Sequence, residues 1–211
     1  MQLYFSPLAC SMATRIAMYE AGGQATYMEV DPRTKRTSDG QDFRTINPLG
    51  LVPTIRTEDG EVITENAAIL QYVARQFPEA ELGAQAGLPY ARLQQWLCFI
   101  GTELHKGVFA PLLDPKAPAE VKAYTLARAG ARLSHLSTHL THREFLLDRF
   151  SVADAYLVTV LNWTMAVPID LKDWPVLAGY VGRLRARPSV ARALREEGQL
   201  YAAEQARHKH A

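Results

Sequence analysis

Cysteine is scarce in this sequence: 211 residues contain only Cys10 and Cys98, with no Cys-x-x-Cys pair. Two thiols cannot staple a chain of this size into a disulfide framework, so a reducing compartment is expected and a dithiol redox motif is excluded. Long apolar runs are missing too. None approaches the roughly 20 residues that a membrane-spanning helix requires, so no membrane partner is expected. The N-terminus shows no basic run followed by an apolar one, and the reading is a cytoplasmic chain without a signal peptide. Neither sign of charge prevails, since 23 Lys and Arg against 22 Asp and Glu leave a formal +1. Such a balance supplies no field to attract nucleic acid or an anionic bilayer. The basic tail 206–211 (ARHKHA) is short and is read as a frayed, solvated end. Glycine-rich phosphate loops and the His-Glu-x-x-His zinc signature are absent, and so is an aromatic-plus-basic patch for nucleic acid.

What is present describes a soluble globular protein in two parts: 48% hydrophobic and 21% charged residues, enough for substantial cores. The first part alternates strand and helix signals. Residues 1–6 read as a strand, 11–21 as an amphipathic helix stopped by Gly22-Gly23, and 25–30 as a second strand. Residues 42–46 form at most one helical turn before Asn47-Pro48. Two β-branched runs, VPTIRT and EVITE, flank Asp59-Gly60, the strongest hairpin signal in the chain. Residues 66–77 are amphipathic, with Ile69, Leu70, Val73 and Phe77 on one face, and stop at Pro78. The order β-α-β-α-β-β-α spells a small α/β unit over 1–80. A linker rich in Ala, Gly and Pro follows. An all-α domain then spans 88–205, with patterns through 91–108, 120–140, 152–167, 175–188 and near 190–202. Ser151 and Asp154 fit a capping box that starts a helix and does nothing catalytic.

Chemistry concentrates at a few positions. Cys10 sits where the first strand gives way to the first helix. A helix N-terminus, with its unpaired N–H groups and positive dipole end, favours thiolate; the alternative is a buried, inert cysteine. Pro53 precedes a strand run, either as a rigid strand entry or as a cis bond that offers the Val52 backbone to an extended ligand. Thr64-Glu65-Asn66 opens a helix and is a ready anion site; Glu65 either complements the helix dipole as a first-turn acid, the commoner situation, or binds an ammonium group. Thr102, Glu103, His105 and Lys106 lie along the first long helix of the second part, where such clusters are usually solvated faces. His135, His139 and His142 share a helical face, and surface histidines are the preferred reading over a metal site.

Taken together, LYFSPLACS, NPLGLVPT, the TE-x-x-AI element, W-L-x-F-I-x-T-E-L-H-K and F-S-V-A-D-A-Y appear in the order in which they stand in the cytosolic glutathione transferases. The chain resembles that family over essentially its whole length, and most closely the bacterial beta class. The resemblance implies a thioredoxin-like N-terminal domain, an all-helical C-terminal domain contributing the co-substrate pocket and dimer interface, and a homodimer with glutathione bound between the domains. It implies glutathione as co-substrate, no metal, and transfer to small apolar electrophiles with thiol–disulfide exchange through Cys10. A non-catalytic binding or regulatory adaptor of the same fold, or a glutathione-dependent isomerase, are the alternatives. Residue by residue, it places Cys10 beside the glutathione sulfur with His105 as a second catalytic group, and Val52, before a cis-Pro53, against the cysteinyl backbone. Glu65 and Asn66 take the γ-glutamyl end and Lys35 the glycyl carboxylate. Thr102 and Glu103, with His105, approach glutathione from the second domain or the neighbouring subunit. Phe109, Leu113 and Trp163 wall the apolar pocket. The chain departs from the family pattern at three points. Cys98 replaces an expected Asn, Asn66 replaces Ser or Gly, and one extra residue stands before Pro111.

Overall fold

The computed structural model describes residues 1–209 and divides into two compact units, Met1–Leu82 together with the chain from Pro188 onward, and Gly83–Arg187. The first unit is built on a four-stranded mixed sheet of order β2-β1-β3-β4, from β1 (Gln2–Phe5), β2 (Thr26–Glu29), β3 (Thr54–Arg56) and β4 (Val62–Thr64). β1 runs parallel to β2 and antiparallel to β3, with Leu3 opposite both Tyr27 and Ile55. β3 and β4 pair antiparallel as the hairpin expected around Asp59-Gly60. Side chains on a strand alternate between faces. Leu3, Phe5 and Ile55 therefore pack with Ile69 on one side, while Tyr4 packs with Val30, Phe43 and Ile46 on the other.

α1 (Met12–Glu20) and α2 (Asn66–Gln76) complete the α/β order read from the sequence, and the second helix of that order is a single 3₁₀ turn, Phe43–Thr45. Asp42 caps this turn by accepting the Arg44 N–H. This is the thioredoxin-like unit, with one addition. α8 (Pro188–Lys209) belongs to it and not to the helical unit, so the helical domain expected over 88–205 ends at Arg187. The physical reason is Arg15. Its guanidinium lies buried over the rings of Phe5 and Tyr27, at 4.3 and 4.0 Å from their centroids, and its Nε donates to Glu197 Oε1 of α8 at 2.8 Å. The tail also differs from the frayed end expected. Arg207 pairs with Glu29 and His208 with Asp31, whereas His210 and Ala211 lie outside the described residues.

The second unit holds α3 (Gly87–Phe99), α4 (Ala110–Leu113), α5 (Ala119–Leu140), α6 (Val152–Asn162) and α7 (Pro175–Arg185). All eleven residues of α6 are buried, as its apolar sequence required. The capping box forms, and Asp154 does more than close it. Its carboxylate also accepts from the Leu146 N–H and the Tyr180 hydroxyl, at 2.9 and 2.8 Å. Burial raises its pKa, against the pull of these donors. Between α3 and α4 the helix expected over 91–108 winds as a π-helix over Ile100–Phe109. A π turn closes its hydrogen-bonded ring over one residue more than an α turn, and here the Ala110 N–H bonds to the His105 carbonyl. Among the described residues no helix is long and apolar enough to cross a membrane.

Candidate functional site

The site residues fall into two groups, one on each unit. In the first unit β1 ends at Phe5, and the chain turns through Leu8, at φ 59°, before Cys10 and the Ser11 that opens α1. Cys10 thus precedes the helix by two residues rather than sitting in its first turn. It is buried, at 9% exposure, and its thiol donates to the Val52 carbonyl at 3.2 Å. That bond uses the thiol proton, with a backbone carbonyl of the 47–53 loop as its acceptor. The Val52–Pro53 bond is cis, the alternative to a plain strand entry that the sequence reading held open.

Asn66 begins α2, and its buried side chain is already engaged. Nδ2 donates to the Cys10 carbonyl at 3.1 Å and Oδ1 accepts from Thr14 at 3.4 Å. The amide therefore ties the starts of α1 and α2 together. What Asn66 can offer a ligand is its backbone N–H, with those that follow at the helix start. Glu65, just before, is exposed and holds φ 67° and ψ 118°, an uncommon backbone state for a residue with a side chain. Such states are costly and cluster where a site needs a side chain aimed in a set direction. Lys35 lies against the same loop system: a Cβ at Gly50 would meet its Cδ at 3.3 Å. Cys10, Val52, Pro53, Asn66, Glu65 and Lys35 thus belong to one connected region, reached from β1, the 47–53 loop, the start of α2 and the 31–37 turn.

The second group surrounds His105 on the π-helical segment. Its Nδ1 is 2.7 Å from the Tyr156 hydroxyl, and its ring packs against Trp163 at 4.9 Å between centroids. Trp163 also meets Phe109 edge-on at 5.9 Å. Burial, with a smaller push from Lys106, lowers the His105 pKa to about 4, so the imidazole is neutral at physiological pH. The remaining expected residues are placed differently. Glu103 is bound to Arg132 at 2.8 Å, Thr102 is exposed and donates to the Cys98 carbonyl, and Cys98 and Leu113 are exposed.

Sequence reasoning missed Tyr156. A buried phenol on a largely apolar helix needs a hydrogen-bond partner, and that was the available signal. The histidines of α5 are not simply solvated. His135 and His139 stack on Trp96, and His139 donates to the Leu146 carbonyl at 2.9 Å, while His142 lies beyond the helix end.

Residues 9–76 match the family model described as glutathione S-transferase, N-terminal domain, and residues 94–188 match its C-terminal counterpart. The glutathione S-transferase GstA of Escherichia coli O157:H7 is 38% identical over 200 residues, covering 94% of this chain and 99% of that protein. Two solved structures superpose with TM-scores of 0.90 and cover 94% of this chain and 99% of theirs. One is a sphingomonad glutathione S-transferase complexed with glutathione, at 40% identity. The other is a bacterial beta class glutathione S-transferase from Sphingomonas chungbukensis, at 42% identity.

Proposed function

The chain belongs to the glutathione S-transferase family, and on that premise we propose that it joins glutathione to small apolar electrophiles and exchanges thiol and disulfide through Cys10. The observation that carries this reading is the hydrogen-bonded path Val52–Cys10–Asn66, with contacts of 3.2 and 3.1 Å. It unites in one patch the residues assigned to the glutathione sulfur, the cysteinyl backbone and the γ-glutamyl end.

In this reading the Val52 backbone pairs with the cysteinyl residue as an added strand would. The N–H groups at the start of α2 receive the γ-glutamyl carboxylate and Glu65 its ammonium. Lys35 takes the glycyl carboxylate as a charge-assisted contact. Held by both ends, glutathione presents its sulfur in a fixed position, and orientation of that kind removes much of the entropic part of the barrier. The glutathione thiol loses its proton, and the thiolate forms the new carbon–sulfur bond while the electrophile's leaving group departs with its electron pair. The 2.7 Å hydrogen bond with the Tyr156 hydroxyl fixes the orientation of the His105 ring. His105 enters this reading as a neutral hydrogen-bonding group and not as a full positive charge. Trp163 and Leu113 supply apolar surface for the electrophile, whereas Phe109, expected to wall the pocket, is fully buried and backs Trp163 from within the core; a homodimer is part of the same reading.

Exchange starts from a mixed disulfide of glutathione with a small foreign thiol. The Cys10 thiolate attacks the glutathione sulfur, a Cys10–glutathione disulfide forms, and the foreign thiol leaves as thiolate and takes up a proton. A second glutathione thiolate then attacks the bound glutathione sulfur, leaves as glutathione disulfide and restores the Cys10 thiolate. A thiolate beside another thiolate repels it, so Cys10 suits this chemistry better than it suits activation of glutathione.

The Cys10→Ala variant separates the two activities. We expect exchange with the glutathione mixed disulfide to be lost while conjugation of chlorodinitrobenzene continues. Exchange that persists at the parent rate removes Cys10 from the mechanism.

A further inference from the structure

Beyond the glutathione-binding patch, the first unit brings two carboxylates and an imidazole together where α8 meets the segment after β2. Asp31, Glu204 and His208 each offer one ligand atom, and these atoms lie within 4.8 Å of one another. Glu204 and His208 are one helical turn apart on α8 and so project from the same face. Asp31 comes from the far side of the sheet order, held in place because its Oδ1 accepts the N–H groups of Arg33 and Thr34 at 2.8 and 2.9 Å. Its Oδ2 is 2.7 Å from His208 Nε2.

The decisive atom is on Glu204. This residue is only 2% exposed, and its Oε1 is buried with no hydrogen-bond partner. A buried carboxylate oxygen without a donor is expensive. The cationic groups nearby are committed elsewhere, since the Arg207 guanidinium pairs with Glu29 and His208 Nε2 with Asp31. A cation is the species that satisfies Glu204, Asp31 and His208 at once.

We propose that Asp31, Glu204 and His208 form a site for a divalent transition cation of the zinc type. Zinc holds carboxylate oxygens at about 2.0–2.2 Å and imidazole nitrogens at about 2.0–2.1 Å. Two ligands of one tetrahedral ion therefore stand about 3.4 Å apart, so the Asp31–His208 contact of 2.7 Å opens slightly and the wider separations, all within 4.8 Å, close by up to about 1.4 Å through side-chain rotation. Two carboxylates and a neutral imidazole balance the double charge, and water completes a tetrahedral shell. The imidazole selects against magnesium and calcium, which prefer all-oxygen shells with more ligands. The ion displaces the proton shared by Asp31 and His208, and it fastens the last turns of α8 to the segment after β2.

Titration calorimetry of the full chain with zinc chloride, in a buffer that does not chelate, tests the site. The parent protein and a His142→Ala control are expected to bind one ion with the same affinity. Glu204→Gln and His208→Ala are each expected to weaken binding by at least about tenfold, because each removes a direct ligand. No saturable zinc binding by the parent overturns the proposal, as does binding that both variants leave unchanged. Equal affinity for magnesium or calcium overturns the assigned class of ion. Hydrogen exchange on the parent protein tests the site without any variant. Zinc is expected to slow exchange in 200–209 and 29–35 together, and no protection in either segment overturns the proposal.

Discussion

His105 is an ionisable side chain sunk between the rings of Tyr156 and Trp163. Burial disfavours its charged form, and Lys106 adds repulsion, so its pKa falls to about 4 from the ordinary 6.5. The sign of the stability effect follows. Between pH 4 and 6.5 the unfolded chain binds a proton at this position that the folded chain refuses. The stabilisation is therefore complete above 6.5 and is lost as pH falls through 4, an effect worth roughly 3 kcal/mol when a shift of this size is fully expressed. Histidine NMR is expected to show one imidazole that remains neutral until about pH 4, and His105→Gln is expected to abolish that signal together with the acid-side loss of stability. A parent protein in which every imidazole titrates near 6.5 contradicts this account.

At the scale of elements, the π-helical segment Ile100–Phe109 sets where His105 and Phe109 point. The Ala110 N–H reaches back five residues to the His105 carbonyl. Gly107 permits the winding, because a Cβ there would stand 2.8 Å from the Thr102 backbone oxygen. Two effects of a Gly107→Ala change oppose each other. Alanine gains about 1 kcal/mol of helix propensity over glycine, whereas forcing a methyl into a packed site costs about 1–3 kcal/mol. The obstacle is backbone and cannot swing aside, so the steric term prevails. Gly107→Ala is expected to lower the urea midpoint, and a raised midpoint shows the segment free to rewind. This element also marks the limit of what sequence could tell. Periodicity showed a helix through 91–108, since π and α windings leave similar apolar patterns over a short run. The π winding depends on hydrogen bonds that pattern does not encode. The strands, the Asp59-Gly60 hairpin and the capping box were legible because turn chemistry and alternation are local. Cys10 was legible as a site residue by position, but its bond to the Val52 carbonyl was not, because it joins residues 42 apart.

For the whole molecule, the feature hidden from sequence is the return of α8 to the first unit. A helix after four others reads as more of the same domain, and nothing local to Glu197 announces that Arg15, 182 positions earlier, is its partner. That pair decides how the chain closes. Glu197 also accepts the Leu8 N–H at 2.7 Å, on the turn that leads to Cys10. Burial pushes its carboxyl up to about 7, against the pull of Arg15 and Leu8. A raised carboxyl pKa means the folded form holds its proton more tightly. This contribution is therefore full below the unfolded value near 4.5 and is lost as pH rises through 7, opposite in sign to that of His105. Breaking the pair and replacing it are different experiments. Glu197→Ala leaves a buried guanidinium whose Nη2 already lacks a partner, and a loss of roughly 3–5 kcal/mol is expected. The double variant Arg15→Met, Glu197→Leu removes both charges and keeps apolar volume against Phe5 and Tyr27, so it is expected to recover most of that loss. Urea denaturation followed by far-ultraviolet circular dichroism is the suitable measurement, because Trp96, Trp163 and Trp174 all lie in the second unit and report on it alone. A double variant as unstable as Glu197→Ala would show that the ion pair itself, and not merely the avoidance of a buried guanidinium left with Glu196 at 3.5 Å as its only acid, holds α8 to the first unit.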